Sequence, residues 1–241
     1  MIRLIRVELL KLITTKRTTG IFLAVSMGLC LLISLLNLLA SDDIDTSQDI
    51  LDVLGGAQVS ALFVVLIFGA VNMGGEARHG TQVATFLATP VRWRVIVAKS
   101  IAHALAGVAA GALNVLVGLL CIALFADAPW PSGGDLWLQI LGGTVGGALI
   151  GSFGVAMGAV LRNQVAAVAG TLVYLLVVEP LLGSFIDFFA DYGIFASLGT
   201  VATAGGSDGI AQGTGGIVLL VWMLSLTALG AYVVEKRDIR G

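Results

Sequence analysis

This sequence is poor in charge. Only 12% of its 241 residues are charged, about half the share of an ordinary soluble domain. So little charge cannot cover a globule in water, which argues against a soluble fold. Cysteine appears twice, as Cys30 and Cys121. Both fall inside apolar runs and read as small core residues, with no disulfide framework or thiol chemistry implied. Histidine also appears twice, as His79 and His103. That is too few ligands for a haem shared between helices or for a metal centre. The chain has no GxxxxGK[ST] phosphate loop, and no glycine is followed by lysine, so it lacks that means of holding a nucleotide. An intramembrane serine protease lacks its parts as well. Ser152 in "IGSFGV" is outside a GxSG-like setting, and no histidine lies in a later helix. No span carries a clear mid-membrane acid or base, the relay that ion-coupled carriers usually need.

What is present is hydrophobicity. Apolar residues make up 58% of the chain, and its mean hydropathy is +1.02. A helix needs about 20 apolar residues to cross the hydrocarbon of a bilayer. Uncharged runs at 20–40, 53–75, 100–126, 136–161 and 209–234 meet that length, and a further run at 163–186 is interrupted by Glu179-Pro180. The expected fold is therefore an all-α polytopic membrane protein, one transmembrane domain over residues 1–241 with six spans. The first run is too long for a signal-peptide core and no A-x-A site follows it, so a retained first helix is expected.

The charges set the topology. All 13 basic residues fall in alternate connections. They lie before span 1, between spans 2 and 3 (Arg78, Arg92, Arg94, Lys99), between spans 4 and 5 (Arg162) and after span 6. The remaining connections carry only acids. The positive-inside rule then places both termini in the cytoplasm, in a multi-pass protein of a bacterial-type inner membrane. The net charge of −2 hides this division and gives no sign of a nucleic-acid partner.

Residues 1–17 show Ile2, Ile5, Leu9, Leu12 and Ile13 at helical spacing, with Arg3, Arg6, Glu8 and Lys11 off that stripe. This predicts an amphipathic helix in the inner interface of the bilayer; the plainer alternative is an orientation signal. Span 4 carries Gly143, Gly147, Gly151, Gly154 and Gly158, a small face suited to close helix packing. Asn37, Asn72 and Asn114 are expected to make interhelical hydrogen bonds. Pro180 should break the fifth helix. Glu179 beside it is either a functional ionisable group at the membrane edge or a carboxylate reaching the outer surface. The segment after it, "LLGSFIDFFADYGIF", predicts one or two short helices in the outer leaflet.

The polar stretch "GGEARHGTQVATFLATPVRWRVIVAK" interrupts this pattern. Gly74-Gly75 should end span 2. Thr81 after Gly80 suits an N-cap, and "QVATFLAT" can make about two turns before Pro90, since a residue preceding proline disfavours the helical region. Val83, Phe86 and Leu87 share one face of that short helix. Arg92, Trp93 and Arg94 suit the inner interface, with Lys99 snorkelling toward it.

Glu76, Arg78, Gly80-Thr81, Leu87, Pro90, Arg92 and Ala98-Lys99 together resemble the pattern after the second helix of type-2 ABC transporter permeases. "VELLKLITTKRTTG" is similar to the family's lead into its first helix, and "EKRDIR" to its end. The resemblance implies that 81–89 is a coupling helix on which a separate ABC ATP-binding subunit acts, through Glu76, Arg78, Gly80, Thr81, Val83, Phe86, Leu87, Pro90 and Arg92. It implies a second permease chain, identical or different, and ATP with Mg on the partner ATPase. No catalysis and no cofactor are then expected in this chain. Glu179 and Pro180 are the candidate gate. The rival reading is an ATP-independent channel or assembly factor of the same topology, which has no need of the coupling-like block. The substrate, whether drug, antimicrobial peptide, lipid or ion, is not legible. In single-cysteine variants, a membrane-impermeant maleimide added to intact cells should label position 45 and spare position 86; labelling of position 86 would overturn the orientation.

Overall fold

The computed structural model describes residues 1–40, 44–78, 91–126, 129–206 and 210–236, without the side chains of 77 and 78. Helix α1 (Ile2–Thr14) is separated by Thr15 alone from α2 (Lys16–Ala40). Then come α3 (Ser47–Arg78), α4 (Arg92–Phe125), α5 (Gly133–Leu161) and α6 (Gln164–Val173). A π-helical segment (Tyr174–Val178) joins α6 to α7 (Glu179–Gly183). Two short helices, α8 (Asp187–Tyr192) and α9 (Ile194–Ala202), precede α10 (Gln212–Lys236). Among the described residues six helical stretches are long and apolar enough to cross a membrane: α2, α3, α4, α5, α6 through α7, and α10. This is the architecture of a multi-pass, all-helical membrane protein.

The ends of these helices follow local chemistry more than hydropathy. Gly74-Gly75 does not terminate span 2, because α3 runs on to Arg78. A Cβ on Gly74 would lie 2.7 Å from Gln164 Cα, so that glycine serves the contact with α6. Span 3 begins at Arg92, ahead of its apolar run. Ser132 caps α5 by accepting from the Asp135 amide at 3.2 Å. Spans 4 and 5 are joined by only Arg162 and Asn163. Arg162 takes the left-handed conformation, φ 50°, that commonly ends a helix, and Asn163 Oδ1 accepts from the Val165 and Ala166 amides to start the next.

Pro180 does not break the fifth span. It lacks an amide hydrogen, so the regular ladder must change there. The change is taken up upstream, where the chain widens to a π-helical turn and the Glu179 amide bonds back to the Tyr174 carbonyl. The helix then continues to Gly183.

Helices α3 and α5 form the centre: 67% of each apolar window is buried, against 17% for α2 and α10. Lipid is as apolar as leucine, so helix association rests on close packing and hydrogen bonds. Glycine supplies the first. A Cβ on Gly107 or Gly111 of α4 would strike the carbonyl of Gly147 or Gly143 of α5. The same substitution at Gly154 would strike the Leu66 carbonyl, and one at Gly158 would lie 2.7 Å from Met73 Cβ. The small face of span 4 is therefore spent inside the chain. Leu62, Leu66, Ile150, Phe153, Leu175, Leu198 and Leu219 fill the space around these contacts.

Buried amides and hydroxyls supply the second. Asn114 Nδ2 donates to Ser26 Oγ at 2.9 Å, joining α4 to α2. Asn37 and Asn72 instead donate to carbonyls of their own helices, so only one of the three expected asparagines bridges helices. Three glutamines do so instead. Gln58 reaches the Gly111 carbonyl, Gln139 the Ala202 carbonyl, and Gln212 those of Leu138 and Val201.

Gly147→Val should destabilise the protein by about 1–3 kcal/mol or more, because the clash is with backbone that cannot rotate away. Gly28→Ala, with nothing within 4 Å of the added methyl, should be neutral or stabilising by about 0.5–1 kcal/mol. Thermal unfolding of the two variants in one detergent distinguishes them.

Candidate functional site

The helix ends that carry the basic residues meet at one end of the bundle. There, among the described residues, Glu8, Lys11, Glu76 and Lys99 form a ring of alternating charge. Lys99 Nζ lies 2.6 Å from Glu8 Oε2 and 2.9 Å from Glu76 Oε1. Lys11 Nζ lies 2.6 Å from Glu8 Oε1 and 3.1 Å from Glu76 Oε1. Each ammonium touches both carboxylates, and the four charges cancel. The ring joins α1, the last turns of α3 and the second turn of α4. These are the two spans that flank residues 79–90.

Burial grades across the ring. The side chains of Lys99 and Glu8 are 3% and 5% exposed, that of Glu76 is 18% and that of Lys11 is 38%. Beside it lies a cavity of about 590 Å³ bordered by Thr15, Thr18, Val71 and Asn72. Burial alone pushes the Glu8 carboxyl up, but the Lys99 charge and the hydrogen bonds from Lys11 and Lys99 outweigh it and hold the group below its ordinary value. Burial pulls Lys11 down; the hydrogen bond to Glu8 and the charge of Glu76 reverse this and hold the ammonium above its usual range.

Apolar contact seats α1 on the same surface. Leu12 packs with Phe68 of α3 and Ala102 of α4, flanked by Leu9, Phe22 and Ala106. The face that α1 turns to the bundle thus centres on Glu8 and Leu12, its buried residues. Ile2 and Ile13, on the expected apolar stripe, are 83% and 63% exposed, while Glu8, expected off the stripe, is inside. Lys99 does not snorkel; its ammonium is held in the protein.

His103 stands one turn beyond Lys99. Its Nδ1 donates to the Lys99 carbonyl at 3.0 Å, its ring lies 5.6 Å from that of Phe68, and Nε2 has no partner. No group of three metal-ligating side chains occurs among the described residues.

Of the residues singled out in the sequence, Glu76 enters the ring. Arg78 is the last residue of α3. Arg92 opens α4 and donates to the Val234 carbonyl at 3.4 Å, tying α4 to the end of α10. Gly80, Thr81, Val83, Phe86, Leu87 and Pro90 lie outside the described residues, and with them the expected coupling helix. Glu8, Lys11 and Lys99 were not selected as site residues. Their signal was weak but present: a lone acid in a basic N-terminal helix, and a lysine just inside an apolar run.

Glu179 and Pro180 lie at the opposite end. The Glu179 side chain does not reach the surface; the residue is 2% exposed. Its Oε1 accepts the Phe195 amide at 2.5 Å and the Ala196 amide at 3.3 Å, capping α9, while Oε2 has no partner. It therefore links the fifth span to the short helices that follow.

A comparison with protein-family models gives no match, and a search of curated proteins gives no relative.

Glu8→Gln should leave Lys99 with one anionic partner in place of two and cost about 1.5–3 kcal/mol. Lowered in the fold, Glu8 contributes stability that is complete above its ordinary value of 4.5 and fades as pH falls below it. Raised in the fold, Lys11 contributes stability that fades as pH rises above 10.5. Melting of the wild type across pH should show the acid loss, and Glu8→Gln should flatten it.

Proposed function

We propose that this chain is the membrane-spanning permease subunit of an ATP-driven ABC exporter. A separate ABC subunit binds and hydrolyses ATP with Mg. A second permease chain, identical or different, completes the pathway. The chain itself performs no covalent chemistry. Its termini and its basic end face the cytoplasm of a bacterial-type cell.

The observation that carries this reading is the charge ring on the two helices that flank residues 79–90. A force applied to that segment must reach the spans without being absorbed by bending. Lys99 and Glu76 pin the start of α4 to the end of α3 at 2.9 Å, and Glu8 ties both to α1. A partner that pushes on the 81–89 segment then moves α1, α3 and α4 as one body. Because α3 packs backbone to backbone on α5, the tilt is passed to the centre of the bundle. The fifth span presents much apolar surface, including Val173, Leu176, Val177 and Leu181, which suits a span that faces a second permease across a pathway. At the far end Glu179 and Pro180 act as the gate, where the carboxylate couples that span to α9.

Phe86→Asp should insert normally but lose co-purification with the ATP-binding subunit; undiminished co-purification would overturn the assignment. Lys99→Met should separate the two halves of the mechanism. The ATPase still binds and hydrolyses ATP, while substrate transport in proteoliposomes falls by at least tenfold.

A further inference from the structure

An apolar cleft of about 550 Å³ opens between α4, α5 and α10 at the basic end of the bundle, on the other side of α4 from the charge ring. Its volume lies in the ordinary range for a small-molecule site. The walls are aliphatic, with Val97, Ile101, Ala104, Leu224 and Ala228 prominent. Three hydroxyl residues, Ser100, Ser152 and Thr227, interrupt them. Ser152 donates to the Ser100 carbonyl at 3.0 Å. The Ser100 hydroxyl has no partner, although the residue is only 5% exposed.

The mouth is amphipathic. Trp93 lines it, 38% exposed, and the Arg94 guanidinium lies over the indole at 5.7 Å. A cation at the rim, an indole beneath it, a free hydroxyl about 9 Å further along the helix and then an aliphatic slot repeat the order of groups along a phospholipid. Basic positions between membrane helices suit anionic headgroups.

We propose that this cleft binds one anionic phospholipid, with an acyl chain along Ile101, Ala104 and Leu224, its glycerol ester region at Ser100 and its phosphate at Arg94. The site is independent of the transport reading and needs neither an ATPase nor transport to be tested.

The full chain is purified and reconstituted with phosphatidylglycerol or phosphatidylcholine of identical chains, each bearing a photoreactive group in one acyl chain, and labelled residues are identified by mass spectrometry. The exposed face of α2, at Leu32 and Leu36, reports ordinary lipid contact. With phosphatidylglycerol, Ile101 and Leu224 should be labelled several times more than Leu32 and Leu36. Phosphatidylcholine should label the cleft about fivefold less, the factor expected for one cation near a headgroup. Arg94→Gln should remove that preference. Ala104→Phe, or Ala228→Phe on the exposed wall, should abolish cleft labelling and leave α2 unchanged. Equal labelling of the cleft and α2 would mean lipid contact of the ordinary kind and would overturn the site. Equal cleft labelling by the two lipids would overturn its anionic character.

Discussion

Close approach of backbones around α5 is the constraint on which the rest of the bundle depends. Water does not push these helices together, since their outer faces are already in an apolar solvent. What remains is dispersion at short range, which falls off within an ångström, and hydrogen bonds that a lipid cannot replace. Gly107 and Gly111 against Gly147 and Gly143, and Gly154 and Gly158 against α3, bring main chains into contact. Gln139 of α5 then finds the Ala202 carbonyl within reach, and Gln212 the Leu138 carbonyl of α5. If α5 were held further off, those amides would lose their partners in a medium that offers no substitute.

The charge ring solves a related problem with the opposite chemistry. An isolated ammonium as buried as Lys99 would be costly. Two carboxylates from different elements neutralise it, and a second, more exposed lysine balances them. The arrangement becomes rigid because every member is held by two partners, on different elements. Charge placed here gives register: α1 can sit in only one rotation, with Glu8 inward and Leu12 beside it.

Much of the fold was legible. Six apolar runs separated by basic and acidic connections lead to the six candidate spans, because hydropathy and charge are properties of each segment by itself. Helix ends were less legible. Gly74-Gly75 and Pro180 look like stops, yet α3 crosses the first and a π-helical turn absorbs the second. In both cases a neighbouring element overrides the local preference. Glu76 was picked out in the sequence, whereas Glu8, Lys11 and Lys99 were not. Helical periodicity compares residues a few positions apart, and it assigned Glu8 to the polar face of an isolated helix. That face is inside only because Lys99 is there to meet it. Asn114 and Gln139 teach the same lesson, since composition reports a polar residue in a span but not whether a partner helix offers it a carbonyl.

Glu8 and Lys99 are 91 positions apart in the chain. A ribosome emits the carboxylate long before its ammonium, and two hydrophobic segments are threaded into the bilayer in the interval. Until then Glu8 has only Lys11, one turn away, and the first helix lacks the contact that holds Glu8 inward. Locking of the amino terminus therefore waits for the start of the third span. A chain halted after its second segment carries a leading helix that is still loose.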